Sequence, residues 1–106
     1  MLFRRRRRFA DLIERQLGLF ARDHVDELRL IVAARARYDR VSRDGADEAF
    51  GDYQDLVDWA AEDLEKLRDS YCGTLDAEAA EEYRAAFKKA VRRRFGVIAD
   101  LLDDLR

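Results

Sequence analysis

Residues 46–73 read ADEAFGDYQDLVDWAAEDLEKLRDSYCG, and the placing of their apolar side chains decides the fold. Phe50, Tyr53, Val57, Ala60, Leu64, Leu67 and Tyr71 recur at alternating spacings of three and four, with Leu56 beside them. Those spacings return an α-helix to one face, the pattern of a bundle or coiled-coil seam. The helix is expected to start near Ala46, with Asp44 as its N-cap, and to stop at Gly73.

A further helix is expected from Ala77. Asp76 stands at its N-cap, and Glu78, Glu81 and Glu82 lie near the positive end of its dipole. Its apolar face reads Ala80, Tyr83, Phe87, Val91, Ile98, Leu101, Leu102 and Leu105. Arg94 falls within that stripe, where it either pairs with Glu27 or covers apolar surface with its stem. Before the deciding stretch, Leu2, Phe9, Ile13, Phe20, Ile31 and Tyr38 project within about 20° of one line, which fits one helix over 3–41. Such a helix is roughly 58 Å long against roughly 40 Å for the next. It either kinks near Gly18–Asp23 and folds back as a fourth helix, or carries an N-terminal arm that docks on another chain.

The fold class is therefore all-α: an antiparallel three-helix bundle with an over-long first helix, three to four helices in all. Short connections at 42–45 and 73–76 make sequential helices antiparallel. The 106 residues read as a single domain, 1–106, with a basic arm over 1–15. The chain has no proline and only five glycines, which suits long helices and not a sheet with many turns.

Charge is distributed unevenly. Residues 1–43 hold 12 basic and 6 acidic side chains, and residues 44–72 hold 2 and 10. A basic first helix beside an acidic second one neutralises much of this within the fold. A lone cysteine, Cys72, forms no internal disulfide and no CxxC knuckle. It fits a reducing compartment, and no apolar run approaches a bilayer span. Asp11, Glu14 and Arg15 interrupt the segment after the arginines, so no secretion-signal core follows. A cytoplasmic location is the expectation.

Several residues invite chemistry. Arg4, Arg5, Arg6, Arg7 and Arg8 are five consecutive guanidinium groups bracketed by Phe3 and Phe9, able to neutralise phosphates of a nucleic acid or an anionic membrane. Such a run equally serves as a solvated terminus. Lys88, Lys89, Arg92, Arg93 and Arg94 form a second basic cluster, placed far from the first in a simple bundle. His24 is the only histidine, and near the apolar stripe a core or boundary role is commoner than a phosphoacceptor or general base. The carboxylate clusters Glu62, Asp63, Glu65 and Glu78, Glu81, Glu82 lack the Glu-x-x-His pairs of a di-metal bundle. No phosphate loop, zinc-ligand set or nucleophile elbow is present. No catalytic, metal or cofactor residue is assigned, and no cofactor or small-molecule substrate is expected.

Two surfaces remain. Phe9, Leu12 and Ile13 on the arm are exposed apolar groups unless something covers them. Trp59 lies about 60° from Leu56 on the polar side of its helix, where it caps the core or anchors a partner. These four residues mark the expected interface. The leading expectation is a non-enzymatic interaction or scaffold protein that forms a homodimer through its first helix. The alternative is a polyanion-binding accessory protein using Arg4–Arg8.

Overall fold

In the computed structural model, which describes residues 8–96, four helices follow one another: α1 (Ala10–Asp23), α2 (Val25–Arg40), α3 (Arg43–Cys72) and α4 (Ala77–Arg94). No strand occurs among the described residues. The connections between α2 and α3 and between α3 and α4 are short, so the helices run up, down and up. The 16-residue α2 packs along the upper half of α3, and the 18-residue α4 lies against α1 and α3.

The over-long first helix resolves into two pieces. α1 and α2 hold 14 and 16 residues on either side of His24, and together they match the 30 residues of α3. Over the described residues the mismatch is small, because α3 begins at Arg43, three residues before Ala46; residues 1–7 of the arm lie outside the described residues. Ser42, in extended backbone, is the N-cap of α3, and Asp44 sits inside the first turn instead of capping it. That still places a carboxylate at the positive end of the dipole. The break falls one residue beyond the expected Gly18–Asp23 window, at a residue that is neither glycine nor proline. His24 has φ −120° and ψ 30°, yet its N–H donates to Phe20 O at 3.0 Å and its carbonyl accepts from Leu28 N at 2.9 Å. The chain thus departs from helix geometry there while keeping the hydrogen bonds on both sides.

α3 stops at Cys72, where Gly73 remains in right-handed helical geometry and Thr74 Oγ1 donates to Tyr71 O at 2.7 Å. Asp76 then caps α4 as its sequence requires, accepting a hydrogen bond from Ala79 N at 2.8 Å.

The arm closes on its own chain. Phe9 and Ile13 are buried, and Leu12 packs half-buried against the same core. Phe9 meets Tyr71 and Tyr83 edge-on, at 6.3 and 5.5 Å between ring centroids. The expectation that a second chain must cover these groups is therefore corrected for Phe9 and Ile13, which their own chain buries, while Leu12 stays half-buried. Tyr83, with no exposed surface, is the centre of this end, and its hydroxyl donates to Gln16 Oε1 across the bundle at 2.7 Å.

Three other residues sit where the periodicity did not place them. Phe50 is 40% exposed and leans on Tyr38, while the small Ala49 takes the buried position one turn before Tyr53. Arg94 pairs with Glu14 at 3.5 Å, not with Glu27, because α4 runs beside α1 and ends at the level of Phe20. Arg68 is buried: its Nε donates to Asp69 at 2.8 Å, and its Nη1 has no hydrogen-bond partner. That hydrogen bond holds the Asp69 carboxyl below the usual carboxylate range.

Candidate functional site

The break at His24 opens a groove. Gln16, Leu19, Phe20, Asp23 and His24 from the first helix pair line it, facing Asp63 and Leu67 of α3, around a volume of about 400 Å³. Leu19 and Leu67 form an apolar wall, and Phe20 forms the floor. His24 rests on Phe20 at 4.7 Å and meets Trp59 at 5.2 Å, ring centroid to centroid. Trp59 also stacks on Phe20 at 6.5 Å, so it backs the groove from the α3 side. The indole is half-buried against the core and caps it beside the groove.

Two carboxylates edge this aromatic and apolar surface. Asp63 Oδ2 lies 3.9 Å from His24 Nε2, too far for a hydrogen bond. Asp23 lies 3.9 Å from Arg22 Nε, with both side chains largely exposed. Gln16 contributes an amide already fixed by Tyr83. No hydroxyl or thiol nucleophile lines the groove, and Cys72 is buried elsewhere in the core. The acidic edge repels phosphate donors, which weighs against His24 as a phosphoacceptor. Among the described residues no three His, Cys, Asp or Glu side chains come together as a metal site.

The basic features are divided. Arg4, Arg5, Arg6 and Arg7 lie outside the described residues, as do the apolar positions from Ile98 to Leu105. Arg8 is described: its guanidinium sits over the Phe9 ring at 5.1 Å and 3.9 Å from Glu82. Lys88, Lys89, Arg92 and Arg93 are exposed along α4, beginning six residues beyond Glu82. That is about 9 Å along the helix, nearer to Arg8 than a separation at opposite ends.

The outer surface of the first helix pair carries the other feature. Leu19 and Leu30 are 44% and 55% exposed, and Leu12 is half-buried. They are spaced seven and eleven residues apart, intervals that bring a helix back to nearly the same direction. Leu12 shares this direction with Leu19 and Leu30 while its inner side packs against the core that holds Phe9 and Ile13. No helix among the described residues is long and apolar enough to cross a membrane.

Comparison with protein-family models, curated proteins and solved structures returns no match. Function is therefore read from the groove, the stripe and the charges alone.

Proposed function

We propose that the chain is a non-enzymatic, cytoplasmic scaffold protein that self-associates through its first helix pair. The observation that carries this reading is the stripe of Leu12, Leu19 and Leu30 on the outer flank of α1 and α2. An antiparallel second copy sets Leu12 opposite Leu30 of its mate, in the manner of a helix seam. The same register brings exposed Arg15 within one residue of exposed Asp26, so opposite charges come near each other along the flank. The lone unpaired Cys72 supports a reducing compartment.

Sedimentation velocity across a concentration series tests it. The unaltered chain is expected to dimerise, and Leu19→Asp or Leu30→Asp to weaken the dimer by at least about tenfold, since each buries a charge in the seam. Val32→Asp is the control. Val32 is 65% exposed but projects about 160° from Leu30, so its variant keeps the dimer. A chain that stays monomeric at all concentrations rejects the reading.

A second reading, polyanion binding, is favoured by the exposed basic face of α4 near Arg8. It predicts nucleic-acid affinity that falls steeply with salt and largely disappears when Arg4–Arg8 become glutamine, measured by fluorescence anisotropy. Absence of binding at low salt removes this reading.

A further inference from the structure

We infer that the flank of α2 and α3 above the end of α4 is the docking site of residues 97–106 of the same chain, through the apolar face of that stretch. This goes beyond self-association and uses the other side of the first helix pair. α4 packs against α1 and α3 and stops at Arg94, and Phe95 meets Phe20 at 6.1 Å between ring centroids. α2 starts at Val25 and runs on beside α3 to Arg40, and no described helix covers that pair on the side that α4 covers lower down. Val25 and Val32 mark the side. The Cβ position of Gly18 lies 3.9 Å from Arg94 Nη2, so Gly18 faces α4. Val25 and Val32 follow it at intervals of seven, which keep nearly the same direction, and the hydrogen bonds of His24 carry the register across the break. They are 42% and 65% exposed. On α3, half-buried Gln54 and Ala61 precede Arg68, a neighbour of Tyr83 on α4, by fourteen and seven residues.

The stretch 97–106 matches this flank in spacing. It reads VIADLLDDLR, and at helix periodicity Ile98, Leu101, Leu102 and Leu105 project within about 60° of one line, with Asp100, Asp103 and Asp104 on the other side. Ile98 and Leu105 stand seven residues apart, as Val25 and Val32 do, or about 11 Å along a helix. α4 runs in the direction of α1 and α2. With Phe95 level with Phe20, the same offset brings Ile98 within two residues of Val25 and Leu105 within two of Val32. Docking four aliphatic side chains on two exposed valines takes apolar surface out of water on both sides of the contact. The tether selects this occupant over a separate chain. It starts at Gly96, beside the flank, and presents the stretch at an effective concentration on the order of millimolar.

Disulfide trapping in the full chain tests it, with Cys72 left in place because it is buried. Val32→Cys/Leu105→Cys sets two thiols at one level of the flank. Ala33→Cys/Leu105→Cys is the control, since Ala33 is exposed at the same height but about 100° round the helix. Under oxidised glutathione at low protein concentration, the first pair is expected to close within one chain at least about tenfold faster than the second, read by mass spectrometry. Equal rates overturn the proposal, and a bridge formed only between chains overturns it in favour of a second copy. The same pair in a Leu30→Asp background closes equally well, because Leu30 lies on the self-association flank. A loss there overturns the proposal by making the contact depend on the dimer. Thermal melting gives an arm free of cysteine substitutions. Leu101→Asp and Val32→Asp are each expected to lower the melting temperature, and the double variant no further than the larger single loss. Fully additive losses overturn the proposal.

Discussion

Tyr83→Ala is expected to destabilise the fold by about 3–5 kcal/mol, as large-to-small changes of buried aromatic residues do. In a domain of this size that is a large share of the whole stability. The reason is position. Tyr83 has no exposed surface, touches the rings of Phe9, Tyr71 and Phe87, and is hydrogen-bonded to Gln16 on the opposite helix. Tyr83→Phe keeps the ring and loses only that hydrogen bond, at about 1 kcal/mol. Urea unfolding separates the two, and equal losses would show that the hydroxyl rather than the ring holds the bundle.

The same hydroxyl gives the fold an alkaline limit. Burial pushes the Tyr83 phenol up to about 12. The folded chain therefore holds this proton more tightly than the unfolded chain, whose tyrosine titrates near pH 10. The resulting stability is complete below about pH 10 and is lost as pH rises toward 12. Tyr83→Phe, which carries no proton to lose, shows a shallower decline over that window.

Phe9→Ala is expected to cost about 3 kcal/mol and to leave the assembly state unchanged at temperatures where the variant stays folded. Phe9 is 5% exposed, packed edge-on against Tyr71 and Tyr83, with the Arg8 guanidinium over its face. It closes the lower end of the core of its own chain. Removing residues 1–15 therefore takes away Phe9 and Ile13 and unfolds the bundle instead of only separating subunits. Thermal melting and sedimentation velocity on Phe9→Ala check both halves of the expectation. Dissociation of a dimer without loss of stability would place Phe9 in an interface after all.

Much of the fold was legible because periodicity is a strong signal in long helices. Tyr53, Val57, Ala60 and Leu64 are all buried as their spacing required, and Asp76 caps α4 as its neighbours implied. The exceptions have physical causes. Phe50 and Ala49 are adjacent, and hydrophobicity alone favours the larger, whereas packing beside Tyr53 favours the smaller. Arg68 is buried although its charge gives no sign of it in the sequence. The length mismatch called for a kink near Gly18–Asp23, but with no proline or glycine at His24 and its hydrogen bonds retained, nothing in the sequence fixes the break at that residue.

The candidate site was less legible. His24 and Trp59 stood out as single residues of their kinds, and Asp63 as one of an acidic group, but nothing linked them. They converge only because α1 and α2 together are as long as α3 and run antiparallel to it. Leu19 and Leu67 gave no signal at all, since each reads as one more apolar position. A search for Trp, His and Asp on facing helices at matched heights would have found three of the participants.

The break at His24 also has a mechanical meaning. Along an unbroken helix, bending stretches hydrogen bonds, so the rod is stiff throughout. At this joint the backbone has already left the helical well while His24 N and His24 O remain bonded, so flexing there requires a change of torsion angle and the breaking of no bond. The compliance of the α1–α2 rod is thereby concentrated at one point, and the groove opens beside that point.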